Sequence, residues 1–150
     1  MRDNLRSGHV LTGFSDYVPL NARMKTAFSS PDAPPILGPY SQAIGAGPFV
    51  FCSGQVPLKA TTGELVSQDV GEQTKQALLN LGAVLESAGL SYPNIVKTTV
   101  FLTDLSRFAD MNAVYATFFQ DVPPARSTIE VSGLPRDAKV EIEAIAIRPS

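Results

Sequence analysis

Three charged side chains near the C-terminus occupy positions where a β-strand normally carries Val or Ile. Arg126 opens one apolar-alternating segment, and Glu141 and Glu143 lie inside a second, within the tract Pro123–Ile147. Fixed charges on a sheet cost free energy unless they are paired or used. A guanidinium can bind a carboxylate through two parallel hydrogen bonds, and a nearby carboxylate can position or deprotonate water. The tract therefore predicts an anion-binding site with an acid beside it.

A hairpin between the two segments would bring these charges together. The two-residue period of a strand puts Arg126 and Thr128 on one face. If the intervening turn closes an antiparallel hairpin, Thr128 lies opposite Glu141 and Arg126 lies opposite Glu143. This register predicts a guanidinium, a hydroxyl and two carboxylates on one patch.

Pattern alone leaves two interpretations of this patch open. In the structural interpretation, Arg126 and a glutamate form a cross-strand pair that only stabilises the sheet. In the functional interpretation, Arg126 binds a substrate carboxylate and a nearby glutamate positions or deprotonates water. Cross-strand ion pairs are common, so the pattern by itself favours the structural interpretation.

The composition leaves few other routes to chemistry. The chain has 150 residues, is 44% hydrophobic and carries a formal net charge of -2, which fits one globular domain without a basic surface for nucleic acid. Cys52 and His9 are the single cysteine and histidine, so an internal disulfide and a zinc cluster are disfavoured, and a Ser-His-Asp triad would have to recruit His9. No apolar stretch approaches a membrane span. A lone thiol suits a reducing compartment, so we expect a cytoplasmic protein.

The helices that must position these residues follow from apolar spacing and cap residues. Asp69–Ala88 is the strongest predicted helix, because Asp69 can cap it, Glu72 completes a capping-box pattern and Gly89 can end it. A second helix is predicted over Leu105–Phe119, with a cap from Asp104 or Ser106. Its apolar stripe consists of Phe108, Met111, Val114, Tyr115 and Phe118.

The predicted strands are short apolar or β-branched runs around these helices. They cover residues 40–44, 49–53, 95–102 and the two segments of the charged tract. The order β-β-α-β-α-β-β predicts an α+β domain in which two helices cover one face of the sheet. On the last strand, Glu141 and Glu143 share the opposite face with Ile145 and Ile147, which predicts burial of that face against another subunit.

Other candidate residues have ordinary structural interpretations beside functional ones. Tyr40 is a loop aromatic that could pack or reach a ligand with its hydroxyl. Ser53 and Gly54 end a strand, where the glycine serves a turn or lets a ligand approach the backbone. Asn112 lies beside the apolar stripe of the second helix, where a solvated or capping role is the ordinary one. Cys52 lies in an apolar run, which is typical of an inert buried thiol.

Five blocks of this sequence resemble the Rid family of reactive intermediate deaminases, specifically its RidA type. They are GPYSQA (Gly38–Ala43), FCSGQVP (Phe51–Pro57), QTKQALLNLGAVLESAGL (Gln73–Leu90), IVKTTVFLTDLSRFADMNAVYATFF (Ile95–Phe119) and PPARSTIEVSGLPRDAKVEIEAIA (Pro123–Ala146). Together they span nearly all of Met24–Arg148 in the family's order, and the last block is highly specific.

The resemblance implies a chorismate-mutase-like α+β fold, a homotrimer and sites in the clefts between subunits. It also implies a substrate class, the imines and enamines that pyridoxal-phosphate-dependent dehydratases release. Typical cases are 2-iminopropanoate and 2-iminobutanoate, which are hydrolysed to the 2-oxo acid and ammonia. An iminium carbon is already electrophilic, so this reaction requires no metal or cofactor. No nucleic-acid or membrane partner is expected.

The resemblance also implies roles for individual residues. Arg126 matches the arginine that binds the substrate carboxylate, and Glu141 matches the acid that orients the attacking water. Thr128 matches a position that is often Cys in the family and that supplies backbone contacts. The further pocket positions match Tyr40, Ser53, Gly54 and Asn112, some of them expected from the neighbouring subunit.

Met1–Arg23 lies outside the resemblance and shows no sustained period, so we expect a flexible extension before one domain over residues 24–150. Met24 is a plausible first residue of the protein, so our hypothesis is that residues 1–23 result from translation at an upstream start codon. Two alternatives for function stay open. One is a non-catalytic module that binds small carboxylates or proteins, or an endoribonuclease or translation inhibitor, as members of the wider family are described. The other is a Rid enzyme for a different imine.

Overall fold

Six strands and two α-helices lie in the part of the chain that the computed structural model describes, residues 24–150. The helices are α1 (Val70–Ser87) and α2 (Phe108–Tyr115). The strands are β1 (Thr26–Phe28), β2 (Ala43–Ala46), β3 (Phe49–Gln55), β4 (Ile95–Leu102), β5 (Ala125–Glu130) and β6 (Val140–Ile147). The predicted extension Met1–Arg23 and His9 lie outside the described residues.

The strands form one mixed sheet in the order β1-β2-β3-β6-β4-β5. Neighbouring strands are antiparallel except β4 and β5, which are parallel. The predicted α+β class is confirmed, with one additional strand, β1. That strand is only three residues long, too short to show a period in the sequence.

The predicted hairpin between β5 and β6 is wrong, because β4 lies between these two strands. The reason is the crossover helix α2, which returns the chain so that β5 pairs beside β4 in parallel and becomes the edge of the sheet. On its other side β4 pairs with β6, so Phe101 lies opposite Glu141 and Thr99 opposite Glu143. Arg126 instead lies opposite Thr98.

Helix α1 begins and ends at the predicted residues. The Asp69 carboxylate accepts a hydrogen bond of 2.8 Å from the backbone N–H of Glu72, which confirms the N-cap. In a capping box, the Glu72 side chain would accept a hydrogen bond from the backbone N–H of Asp69. This N–H instead donates to the Ser67 hydroxyl at 3.1 Å. Gly89 follows the helix with a φ of 73°.

The second helical segment is a continuous run of three pieces rather than one α-helix. Short 3₁₀ turns at Leu105–Arg107 and Ala116–Phe118 flank α2. The sequence leaves open whether Asp104 or Ser106 caps this segment. The Asp104 carboxylate accepts a hydrogen bond from the backbone N–H of Ser106 at 2.9 Å, so Asp104 is the cap. The helical path therefore covers the predicted range, with α-geometry only over its central eight residues.

The two faces of the sheet differ in cover. The helices bury the face that carries alternate residues of β6, as predicted; these are Val140, Ile142, Ala144 and Ala146. Large apolar side chains on the other face stay exposed in the single chain; they include Phe49, Phe51, Ile129 and Ile147. We call this second surface the open face. Within residues 24–150, no helix combines the length and apolar character that a membrane span requires.

Candidate active site

Arg126 lies on the helix-covered face at the edge strand β5, beside α2. Its guanidinium carbon is 4.6 Å from the centroid of the Tyr115 ring and 5.4 Å from that of Phe108. The one salt bridge within residues 24–150 joins Arg107 to Asp110, so no carboxylate of the described chain pairs with Arg126. The interpretation of Arg126 as a cross-strand ion pair is therefore wrong. Its charge is held by aromatic rings and is available to an anion.

The ring beneath the guanidinium is itself fixed. The hydroxyls of Tyr115 and Thr98 lie 2.7 Å apart in a buried hydrogen bond. Burial raises the pKa of Tyr115 above its ordinary value, while the bond to Thr98 and the charge of Arg126 offset part of that rise. The tyrosine hydroxyl therefore stays protonated near neutral pH and can keep this bond.

Two further predicted site residues lie near Arg126. Thr128 is on the same face of β5 two residues on, opposite Val100 of β4. Asn112 is on α2, three residues before Tyr115, which places both on one side of the helix. We call the group of side chains around Arg126 the arginine half-site; it comprises Phe108, Asn112, Tyr115, Arg126 and Thr128.

Glu141 belongs to a different surface. It projects from β6 to the side opposite the buried Val140 and Ile142, and it lines a cavity of about 430 Å³. We use the name acid half-site for five of the residues that line this cavity, Tyr40, Ser53, Gly54, Arg136 and Glu141. Gln42, Gln55, prolines and aliphatic side chains complete the walls of the cavity.

An irregularity in β3 creates the space for the Glu141 carboxyl. The pairing of β3 with β6 shifts register between Cys52 and Gln55, which makes a bulge at Ser53 and Gly54. A Cβ on Gly54 would lie 2.8 Å from the Cδ of Glu141 and closer still to its Oε1. A larger residue at this position would therefore displace the Glu141 carboxyl, and the prediction that Gly54 lets a ligand approach the backbone stays a prediction.

The surroundings of Glu141 favour its neutral form. Burial raises the pKa of this carboxyl above its ordinary value, and the nearby Glu143 carboxylate raises it further. Ser53 is oriented by donating its hydroxyl proton to the backbone carbonyl of Ser41 at 2.6 Å. A carboxyl with a raised pKa in a cavity can accept a proton from water and return it at moderate pH.

The two half-sites do not meet within one chain. Arg126 is on the face that the helices cover, because Thr98, its partner on β4, is fully buried there. Glu141 is on the open face, since it alternates with buried residues of β6. The sheet therefore lies between the guanidinium and the carboxyl, and the prediction of one patch within a single chain is wrong.

Three residues around the half-sites were missed or given another role from the sequence. Phe108 and Tyr115 were assigned to the apolar stripe of the second helix, although their spacing to Asn112 puts all three on one side of it. Arg136 lies in the turn that the sequence predicts between the two segments of the charged tract. Its backbone has a φ of 61°, and its guanidinium donates to the carbonyl of Gly63 at 3.1 Å. Neither this backbone conformation nor this hydrogen bond can be predicted from a single sequence.

Cys52 agrees with its sequence interpretation as an inert thiol. It is buried, and that burial raises its pKa to about 12. A thiol with so high a pKa supplies almost no thiolate near neutral pH, so it is a poor nucleophile.

Gly54→Ala tests the close approach of Glu141. The added methyl group must displace the carboxyl. If Glu141 is the acid that the family resemblance implies, imine hydrolysis should slow by about 10²-fold, the usual effect of misplacing a reacting group by about 1 Å. Gly133→Ala is the matched control, because a Cβ there meets nothing within 4 Å. Steady-state rates of both variants are compared with wild type. Equal rates for all three proteins would contradict the positioning role of Gly54.

Comparison with known proteins finds a matching family model and relatives of similar sequence. A family model described as Endoribonuclease L-PSP matches residues 30–148. A 2-iminobutanoate/2-iminopropanoate deaminase of Mus musculus is 44% identical over 129 residues, covering 86% of this chain and 96% of that protein. A RutC family protein of Pyrococcus horikoshii is 50% identical over 83% of this chain and 99% of its own length.

Solved structures share the fold over nearly their full length. A structure described as a putative endoribonuclease from Thermotoga maritima has a TM-score of 0.82 and 45% identity, covering 85% of this chain and all of that one (100%). E. coli TdcF with bound serine has a TM-score of 0.79 and 45% identity, covering 83% and 99% of the two chains. The names of these proteins state different activities, while their architecture is shared.

Proposed function

This chain belongs to the Rid family, the family that the Endoribonuclease L-PSP model describes, and we propose that it hydrolyses 2-imino acids to 2-oxo acids and ammonia. The observation that carries the proposal is the guanidinium of Arg126, which lies on aromatic rings with no carboxylate of residues 24–150 paired to it. Relatives from Mus musculus and Salmonella typhimurium, 44% and 47% identical, carry the name 2-iminobutanoate/2-iminopropanoate deaminase. The substrates that we propose are these two imino acids.

Arg126 binds the substrate carboxylate. A guanidinium presents two parallel N–H donors to the two carboxylate oxygens, which fixes both the position and the orientation of C2. The resulting charge-assisted bonds anchor the part of the molecule that does not react. The backbone at Thr128 and the amide of Asn112 supply further contacts on this side.

Glu141 activates water on the other side. The substrate reacts as its iminium, in which nitrogen already carries the extra proton. The ionised carboxylate takes a proton from a water whose oxygen attacks C2, and the C=N π electrons become the lone pair of the resulting amine. Glu141 then returns its proton to this nitrogen, the C–N bond breaks as ammonia leaves with the bonding pair, and the hydroxyl proton passes to solvent as the C=O bond forms. One imine and one water yield one 2-oxo acid and one ammonia. Tyr40, Ser53 and Gly54 line the cavity around this reaction.

We propose a homotrimer in which the arginine half-site of one subunit meets the acid half-site of its neighbour. The position of Arg126 and Glu141 on opposite faces of one sheet supports this arrangement, since a composite site needs a second chain. The open face also supports it, because Phe51 and Ile129 are each 45% exposed in the single chain and such apolar patches mark interaction surfaces. Light scattering after size-exclusion chromatography measures the assembly.

A coupled assay tests the reaction. A pyridoxal-phosphate-dependent dehydratase generates the imine in situ from serine or threonine, and ammonia release is measured with and without the protein. We expect faster release than the spontaneous hydrolysis of the imine in buffer. A rate equal to the spontaneous one with both imines would contradict the proposed function.

Imines from other amino acids test the range of side chains, and an RNA substrate tests the activity in the family model's description. We expect no RNA cleavage, because the net charge of -2 gives little attraction to phosphates. RNA cleavage by wild type that Arg126→Ala loses would establish the rival activity, whereas cleavage that disappears on repurification would indicate a contaminant.

A further inference from the structure

The Arg126 side chain is supported by α2, and no carboxylate of residues 24–150 forms an ion pair with it. The face of an aromatic ring attracts a guanidinium through its quadrupole, and the N–H donors at the edge of the guanidinium stay free for a ligand. Tyr115 is the closer of its two rings, at 4.6 Å from the guanidinium carbon against 5.4 Å for Phe108. A carboxylate in the same place would hold the arginine but would compete with the carboxylate of a substrate.

The Tyr115 ring is fixed from the sheet side. Its hydroxyl is 2.7 Å from the hydroxyl of Thr98, which is fully buried. Thr98 is also the residue of β4 that pairs with Arg126 across the β4–β5 ladder. Thr98 therefore lies opposite Arg126 in the sheet and also fixes the Tyr115 ring that lies beneath the Arg126 guanidinium. Phe119 packs against the Tyr115 ring with centroids 4.6 Å apart, which restricts the ring further.

We propose that Tyr115 is the positioning residue for substrate binding: its ring holds the Arg126 guanidinium ready for a carboxylate, and its bond to Thr98 sets the place of the ring. This inference rests on the proposed function, because it assigns Tyr115 a role in the carboxylate-binding half of that site. Tyr115 acts through Arg126 and does not touch the reacting atoms. It should therefore affect binding and leave the chemical step, which depends on Glu141, nearly unchanged.

Tyr115→Leu is the direct test. Loss of the ring leaves the guanidinium free to rotate, so we expect KM for 2-iminopropanoate to rise about tenfold, which corresponds to about 1.4 kcal/mol. The value of kcat should stay within about twofold of wild type, because an interaction made equally in ground and transition states changes KM alone. Tyr115→Phe keeps the ring and loses its hydrogen bond to Thr98, so its KM should rise about threefold, less than in Tyr115→Leu.

Phe118→Leu is the matched control for lost packing. Phe118 follows α2 and packs against Tyr92 with centroids 5.2 Å apart, whereas the rings beneath the Arg126 guanidinium are Phe108 and Tyr115. The unfolding midpoint of each variant is measured beside its kinetics. We expect Phe118→Leu to lose stability with KM unchanged. An equal rise in KM for Phe118→Leu and Tyr115→Leu, or an unchanged KM for Tyr115→Leu, would overturn the inference.

Calorimetric titration with 2-oxobutanoate separates this inference from the proposed function. The 2-oxo acid carries the same carboxylate, so its Kd is expected to rise about tenfold in Tyr115→Leu even if wild type hydrolyses no imine. Failure of wild type in the imine assay alone would overturn the reaction, whereas an unchanged Kd would overturn the role of Tyr115. If Tyr115→Leu does not fold, Thr98→Val decides, since it removes the anchor and keeps the ring. We expect its Kd to rise about threefold, and no rise would overturn the inference.

Discussion

Arg126→Ala is expected to reduce kcat/KM by about 10²–10⁴-fold, because it removes two charge-assisted hydrogen bonds to the substrate, each worth about 1.5–3 kcal/mol. At that level the enzymatic rate approaches the spontaneous hydrolysis of the imine. Ammonia release in the coupled assay, corrected for the spontaneous rate, measures the loss. The fold should tolerate this change, since Arg126 has no ion pair with a carboxylate of residues 24–150.

Two further arginine variants sharpen this result. Arg126→Lys keeps the positive charge and loses the planar fork, so its rate should fall between those of wild type and the alanine variant. Arg107→Ala is the matched control, because Arg107 forms an exposed pair with Asp110 at 2.8 Å and lines neither half-site. It should keep full activity. Wild-type rates for Arg126→Ala, or an equal loss for Arg107→Ala, would contradict the carboxylate-binding role of Arg126.

Glu141→Gln is expected to lower kcat by about 10²–10⁴-fold, the usual effect of losing a general base, with little change in KM. Glutamine keeps the size of the side chain and its place beside Gly54, and it cannot take a proton from water. The kcat and KM of the variant in the coupled assay separate catalysis from binding. An unfolded variant would assign Glu141 a structural role, and an unchanged kcat would exclude it as the base.

The pH dependence of kcat/KM should follow the same carboxyl. Burial, with Glu143 as a second cause, raises the pKa of Glu141, and a general base must be ionised. Activity should therefore fall as the pH drops through a pKa above the ordinary value for glutamate. The side chain of Arg136 lines the same cavity. Glu143→Gln removes the second cause, so the acid limb of its profile should move to lower pH.

The sequence was most informative where local rules decide structure. The cap at Asp69, the stop at Gly89 and the alternation of β6 all depend on neighbours along the chain, and the structure confirms them. The pairing of Arg126 with Glu143 failed because strand order depends on the crossover α2 and on contacts far apart in sequence. Hairpin pairing of consecutive strands was the simpler assumption.

The candidate site was also only partly predictable from the sequence. Residue types and the family resemblance were enough to name Arg126 and Glu141, and the roles assigned to them stay predictions. The support of Arg126 by the Tyr115 ring could not be read from an apolar stripe, because a stripe does not tell which of its members lies beneath a charge. The bulge beside Gly54 could not be predicted from the sequence either. A lone glycine is equally compatible with a turn and with the close approach of another group to the backbone.

Subunit mixing tests the central claim, that Arg126 of one subunit and Glu141 of another hydrolyse an imino acid together. Arg126→Ala and Glu141→Gln subunits, each inactive alone, are co-expressed, and mass spectrometry establishes that mixed trimers form. A random equal mixture should regain about one quarter of wild-type ammonia release, because that share of the interfaces pairs an intact arginine with an intact glutamate. Mixed trimers no more active than the two variants measured separately would contradict the account.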